Sequence, residues 1–440
     1  MVARKCTLTP PFLTEDGWYR ISGSEMTIGW SRLKGPPRLL MTGATGFIGS
    51  FLVESFLRRR CCVHCIARAS ARGEASPLSR VTLAIRAVNP GAPISRLSAL
   101  AGDITRPLAG LPESALDILR GQIDEIWHCA AESSFDPALG ERTFHTNLDG
   151  TVNMIDLAEA IECPSFCFIS TAYVSDQTRA LATEEPVRDR KSFRNPYEES
   201  KLGAENRLLE RSAKSGFAAT IFRLPVVAGH SVTGQTGQFL GYYYYAKHFL
   251  DLRAKLLEGS VDGSLVSQQI RFAPAKLELP IQPQGYLELP VRIFCEPEAT
   301  VNILPVDLVV ATLNRCADAK RGGTLILHLT NGTPPQTRFL FEETLRLLGL
   351  RGFRIESPGE RDSATPGAPP DPGNVLASLE ESIYSASLPY LPYTIRETTF
   401  ARKNLKDLIG PDRLPDFEVD PSYLRKILEY AVSIWGAKKP

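Results

Sequence analysis

The sequence predicts an α/β protein in which a doubly wound parallel sheet is followed by a smaller mixed domain. Three observations predict it. Short, continuous apolar runs recur through the first 235 residues with helical stretches between them, the pattern of strands buried on both faces of a parallel sheet. A glycine-rich turn follows the first run and opens the first helix. Beyond residue 235 the alternation gives way to a tyrosine run and a proline-rich patch.

Strands are expected within RLLMTG (38–43), CVHCIAR (62–68), LSALAGD (97–103), DEIWHCAA (124–131), SFCFISTAYV (165–174) and AATIFRLPVVAG (218–229). Between the first two, GSFLVESFLRRR (49–60) carries apolar residues at helical spacing and ends in arginines, which suit a helix C-terminus. HTNLDGTVNMIDLAEAIE (145–162) reads the same way. Later, GTLILHLTNG (323–332) and TRFLFEETLRLLGL (337–350) carry a strand and a helix signal. The Pro-, Gly-, Ser- and Asp-rich stretch 356–374 is expected to be a mobile surface loop.

A chain of 440 residues supports one large or two ordinary domains. Its 50 basic and 49 acidic residues leave no global field for nucleic acid or an anionic membrane, so a small-molecule partner is favoured. No apolar run reaches the roughly 18 residues that span a bilayer, and MVARKCTLTPPF lacks a secretory apolar stretch. A soluble, cytoplasmic protein is expected. The nine cysteines fall largely in apolar runs and read as core residues of a reducing compartment. Cys61, Cys62, His64 and Cys65 would alternate between strand faces, and no second ligand cluster follows, so no metal site is expected.

Gly43, Gly46 and Gly49 sit at the first strand-to-helix junction. Gly43 permits the tight turn, Gly46 lets backbone approach a pyrophosphate, Gly49 permits close helix packing, and the helix N–H groups face the anion. This predicts dinucleotide binding in a Rossmann domain. Arg68 stands after the second strand where an NAD site would offer an acid, which favours the 2′-phosphate of NADP over a merely solvated arginine. Asp103, at the end of the third strand, either accepts from an adenine amino group or caps a helix. Residues 1–36 are thus read as an N-terminal extension and 37–235 as the NADP-binding domain, with 301–330 returning to it. Residues 236–300 and 331–440 form the expected substrate domain, laid over the carboxyl edge of the sheet.

NPYEESKLGAEN (195–206) holds Tyr197 and Lys201, four apart and on one helix face, where an ammonium could lower the phenol's pKa. Chance alone supplies about 0.4 such pairs at this composition. Two exist, because Tyr243 and Lys247 in GYYYYAKHFL share the spacing. Only context separates them.

That context resembles the extended branch of the short-chain dehydrogenase/reductase superfamily. The matches are TGATGFIG, AGDIT, HCAAESSF, NLDGT, FISTAYVSD, YEESK and FRLPVVAG, in the family's order over roughly 37–235. The resemblance implies that Tyr197, Lys201 and Thr171, 26 residues before the tyrosine, are catalytic, with Ser170 as the fallback donor. It further implies cofactor contacts from Gly43, Thr45, Gly46, Phe47, Ile48 and Gly49 of the turn, and from Arg68, Asp103 and Ile104. Ala130, Ala131, Ser170, Tyr197, Lys201, Arg223, Pro225 and Val226 complete the implied set. The chemistry agrees: hydride addition charges a carbonyl oxygen, which then needs a donor and an acid. A phenol titrates near ~10. A lysine ~4 Å away offers roughly 4 kcal/mol at an effective dielectric near ~20, or about 3 pKa units before desolvation is counted.

Within that branch CIARAS, AGDITRPLAGL, IWHCAAESSFDPALGERTFHTNLDGT, STAYVSD, VVAGHSVTGQTGQF and NILPVDLVV are similar to the thioester reductase and fatty acyl-CoA reductase group, the male-sterility type. That likeness implies NADPH-dependent reduction of an acyl thioester, on an acyl carrier protein or coenzyme A, to an aldehyde or onward to an alcohol. Nothing in residues 1–36 resembles a phosphopantetheine-bearing helix, so the sequence reads as a free-standing reductase. The competing readings are a nucleotide-sugar epimerase or alcohol dehydrogenase of the same branch, and a non-catalytic dinucleotide sensor. Dehydration is disfavoured because Ala172 and Tyr173, not acids, follow Thr171. HSVTGQTGQF (230–239) reads either as a loop beside the nicotinamide or as a plain glycine-containing loop. Tyr242–Tyr245 either line a pocket or pack on one face, while His128, His145 and Asn147 read as structural.

Overall fold

The structure is a computed structural model that describes residues 35–70, 75–175, 180–188, 190–257, 271–273, 285–319, 322–360, 375–396 and 398–436. Almost all of the 1–36 extension, and 361–374 of the expected mobile loop, lie outside the described residues. The chain divides into two compact units. One comprises 1–225, 306–330 and 400–415; the other comprises 226–305, 331–399 and 416–440.

The first unit is built on a seven-stranded, wholly parallel sheet. Its strands are β1 (Arg38–Thr42), β2 (Cys62–Ala67), β3 (Leu97–Ala101), β4 (Glu125–His128), β5 (Ser165–Thr171), β6 (Ala218–Leu224) and β7 (Thr324–His328). They lie in the order β7-β6-β5-β4-β1-β2-β3. The order reverses between β1 and β4. In such sheets that switch point opens a crevice beyond the strands' carboxyl ends. The apolar runs of β1, β4, β5 and β6 are buried throughout or nearly so, because helices cover both faces. β3 departs from the expectation of a fully buried strand: it is the sheet edge and is only partly buried.

The helices start and stop where their termini are chemically marked. α1 (Phe47–Arg58) opens directly from the glycine turn, and α2 (Pro77–Val88) is capped by the Ser76 hydroxyl. After α3 (Glu113–Leu119) comes a π turn, His145–Asp149, which runs into α4 (Gly150–Ala160). The stretch 145–162, expected as one helix, therefore carries a wider turn at its start, a feature that recurs at functional sites. α5 (Pro196–Ser215) has every boundary signal: the Asn195 side chain accepts from the Glu198 N–H, and Pro196 takes the first helical position. Glu198 and Glu199 sit in its first turn, and Gly216 ends it at φ +79°.

The second unit packs α6 (Tyr242–Leu257), α8 (Thr337–Leu347), α9 (Val375–Ser387) and α10 (Pro421–Gly436) with short strands; α7 (Val306–Asp318) belongs to the first unit. One of its cores gathers Phe249, Leu289, Phe341 and Ile383, and another Tyr243, Ile303, Tyr423 and Leu428. Among the described residues no helix is long and apolar enough to cross a membrane.

Candidate active site

The glycine turn shows why glycine is needed at two of its positions. At Gly43, φ is +74°, and a Cβ would lie 2.6 Å from the Ala130 nitrogen and the Cys129 carbonyl carbon. A Cβ on Gly49 would fall 2.1 Å from the Gly43 oxygen. The ends of β1 and β4 thus touch through bare backbone. Ala130 N–H also donates to Thr42 Oγ1 at 3.2 Å.

The N-terminus of α1 is prepared for an anion. Its N-cap is Gly46, which offers no side-chain acceptor, and no acid stands in its first turn. The helices α2 and α5 each receive a side-chain cap. A diphosphate is the chemistry that suits uncapped N–H groups at a positive helix end, so the turn fits a dinucleotide. Thr45, Phe47 and Ile48 lie in this turn and first helical turn. Arg68 follows β2 and is exposed; its guanidinium acts on Asp103. Burial alone would raise the Asp103 pKa, but N–H and hydroxyl bonds from Thr105 and the Arg68 and Arg106 charges hold it below the usual carboxylate range. Asp103 Oδ1 is engaged within its own turn by Thr105 N–H at 3.1 Å and Thr105 Oγ1 at 2.9 Å. Next to it Ile104 is buried, and its carbonyl accepts from Asn153 Nδ2 at 2.8 Å.

At the other end of the crevice, α5 lies against β5. Lys201 is 2 % exposed; its Nζ donates to the Ile169 carbonyl at 2.6 Å and sits 3.9 Å from the Phe168 ring centroid. Burial lowers its pKa to about 7, against the opposing pull of Glu205 and Cys129. Tyr197, one turn earlier and only partly buried, faces Phe135 at 5.9 Å between ring centroids. Its pKa lies above the ordinary phenol range, raised first by burial and then by the Glu198 carboxylate. The expected lowering by Lys201 is not found: both causes of the shift raise the phenol's pKa.

Thr171 ends β5, nearly buried, and its Oγ1 accepts from Tyr173 N–H at 3.3 Å, which leaves the hydroxyl proton to donate. Ser170, the fallback, instead donates to Glu205 Oε1 at 2.5 Å. Arg223 is fully buried, with its guanidinium bonded to Glu205 and to the Thr183 and Glu185 carbonyls. Those side chains are bound up inside the protein rather than turned to a ligand, because a buried charge must be paired. Pro225 is the last residue of the first unit at this point, and Val226 opens the second, its N–H donating to Asn302 O at 3.0 Å. Ala131 is exposed beside Ala130.

Sequence reasoning missed the joint that connects these parts. Asn147, buried in the π turn, accepts from Glu132 N–H at 2.8 Å and donates to Glu132 O and to Ser200 Oγ, each at 2.9 Å. Ser200 Oγ in turn donates to Tyr197 O at 2.9 Å. The loop after β4 is thereby tied to the turn of α5 that carries the tyrosine. The π turn itself leaves no periodic signal in sequence. His128, fully buried, stacks on Phe168 and bonds Thr42 Oγ1 at 2.7 Å and Thr151 Oγ1 at 3.2 Å. Burial, then Lys201, lowers its pKa to about 3, so it is neutral and structural.

Residues 41–258 match the NAD-binding family model described as male sterility protein. That stretch belongs to the male sterility family. A relative in sequence is the L-2-aminoadipate reductase large subunit of Penicillium chrysogenum, 27% identical in an alignment 349 residues long that covers 73% of this chain and 21% of that protein. The chain thus spans about a fifth of that relative's length. In fold it resembles the terminal R domain of the myxalamid PKS-NRPS pathway, with a TM-score of 0.68, 24% identity, and 93% and 94% of the two chains covered. A thiolation-reductase di-domain from an archaeal non-ribosomal peptide synthetase follows, with a TM-score of 0.63, 16% identity, and 91% and 76% covered. The family match makes this stretch an NAD(P)-binding domain of reductase type, on a sheet that shares its fold with reductase domains.

Proposed function

We propose that the protein is an NADPH-dependent reductase of acyl thioesters, taking an acyl group from an acyl carrier protein or coenzyme A and releasing the aldehyde, with reduction onward to the alcohol open to the same site. The observation that carries the reading is the presence, in one unit, of an uncapped, glycine-built helix N-terminus and of a Tyr197–Lys201 helix face whose lysine is buried against β5. The thioester is supported by the L-2-aminoadipate reductase relative and by the likeness to reductase and thiolation-reductase domains.

NADPH, when bound, supplies the hydride. Gly43, Gly46 and Gly49 would receive its diphosphate, Arg68 would meet its 2′-phosphate, and Lys201 would hold the nicotinamide ribose. Thr171 and Tyr197 donate to the carbonyl oxygen, where charge develops as hydride reaches the carbon. The phenol's raised pKa keeps Tyr197 protonated at any physiological pH, so it enters as the acid. The tetrahedral adduct then collapses: its C–S bond breaks, the thiol leaves with a proton, and the C=O bond of the aldehyde forms.

The test mixes purified protein and NADPH with acyl-CoAs, acyl carriers, aldehydes and nucleotide sugars, following absorbance of the reduced nicotinamide. Oxidation with a thioester is expected. Silence toward every thioester and aldehyde overturns the reading, and a nucleotide sugar epimerised without net change in absorbance, read by chromatography of the product, favours the epimerase branch.

A further inference from the structure

Behind Lys201 lies a buried ionic hub that the reaction scheme does not use. Glu205, one turn after Lys201 on α5, is 1 % exposed, and Arg223 on β6 is 0 % exposed. The guanidinium grips the carboxylate through Nε, 3.2 Å from each oxygen, and through Nη2, 2.8 Å from Oε2. Its remaining capacity goes to the Thr183 and Glu185 carbonyls at 3.2 and 3.1 Å, and Nη1 lies 3.4 Å from His328 Nε2. His328 is neutral: burial and Arg223 lower its pKa to about 3, while its Nδ1 is bonded to Ala401 O at 2.8 Å. The same Glu205 receives the Ser170 hydroxyl.

Three consecutive β5 residues are therefore each held: Ile169 by Lys201, Ser170 by Glu205, Thr171 by Tyr173. Desolvation makes a buried ion pair a poor source of stability. Its field on a third buried charge is a different matter, because low dielectric leaves that field unscreened. Among the described residues, the groups that act on Lys201 come from three elements. From α5 comes Glu205; from β4 and the residue after it come neutral His128 and the thiol Cys129; from β5 come the Phe168 ring and the Ile169 carbonyl. Among these, Glu205 is the one carboxylate, and Arg223 opposes it from β6.

We propose that Glu205 is a positioning residue for hydride transfer: its carboxylate favours the charged form of Lys201 against burial and fixes the strand end that presents Thr171, while Arg223 limits the charge Lys201 feels. This inference rests on Tyr197 and Lys201 being the catalytic pair. Glu205→Gln keeps the shape and the acceptor for Ser170 but removes the charge. Lys201 then loses its proton at lower pH, so the alkaline limb of kcat/KM moves down by about one pH unit. Above the limb the rate falls about ten-fold, and below it the rate stays within a few-fold. A carbon-labelled lysine NMR titration of the protein alone reads the same downward shift with no substrate present.

A rate lowered uniformly at every pH, with the Lys201 titration unmoved, overturns the proposal and leaves Glu205 a packing residue. Should Glu205→Gln fail to fold, the double variant Glu205→Leu with Arg223→Met removes both charges without a buried orphan. It should shift the limb in the same direction by a smaller amount, and no shift overturns the proposal equally. The two readings fail separately. An active Tyr197→Phe sinks the catalytic assignment, whereas an inactive Tyr197→Phe with an immobile limb in Glu205→Gln sinks only this inference.

Discussion

Two helices in this chain carry a tyrosine and a lysine at the same spacing, and they make opposite things of it. On α5, Lys201 is buried against β5 and bonded to a strand carbonyl. On α6, the Lys247 side chain is 43 % exposed and reaches forward to Asp251 at 2.6 Å, an ordinary surface pair. Tyr243 is buried, but its hydroxyl accepts from Gly229 N–H at 2.9 Å and is spoken for. Its neighbours pack likewise: Tyr242 bonds Thr344 at 2.8 Å and Tyr245 meets Phe341 edge-on and Tyr390 at a tilt, while Tyr244 stays partly exposed. Spacing puts two groups on one face; packing of that face against a strand end is what sets apart the pair proposed as catalytic.

The largest effect expected from breaking this contrast is in turnover. Tyr197→Phe should cost roughly 10²- to 10⁴-fold in kcat, the usual worth of a positioned acid, with NADPH affinity within a few-fold. Tyr243→Phe should leave kcat near wild type and cost about 1–3 kcal/mol of stability, because Gly229 N–H loses its acceptor. Full activity in Tyr197→Phe, set beside a dead Tyr243→Phe, would invert the two helices.

A smaller effect separates the lysines by pH. Because folding lowers the Lys201 pKa from 10.5 to about 7, the folded chain sheds a proton that the unfolded chain keeps between those values. Stability should therefore rise from pH ~7 to ~10 relative to Lys201→Met, by on the order of 4 kcal/mol at most. Lys247→Met should retain the wild-type slope. Calorimetric melts across that range decide it, and parallel slopes for wild type and Lys201→Met would remove the buried-ammonium account. Smallest is Arg68→Ala, which should raise the KM for NADPH about ten-fold and barely touch NADH; equal effects on both would deny Arg68 the 2′-phosphate.

Most of the sheet was legible because burial on both faces writes itself as uninterrupted apolar runs, as in β1 and β5. Asn195, Pro196 and Gly216 likewise announce α5. What could not be read was anything set by surroundings. The spacing of Tyr197 and Lys201 was visible, but the direction of their pKa shifts depends on how deeply α5 is buried. Arg223 looked like a cofactor contact because its partner, Glu205, lies 18 residues away on another element. Asn147 works from a π turn, whose extra residue leaves no period in the sequence.

The bare N-terminus of α1 has a thermodynamic corollary. A helix end that no side chain caps leaves part of the fold's stability to be supplied from outside, by whatever anion docks there. A ligand at a hundred times its dissociation constant adds about 2.7 kcal/mol to the native state. The lifetime of this chain in a cell is thereby coupled to the abundance of its dinucleotide, so that a falling nicotinamide pool would thin the enzyme as well as starve it.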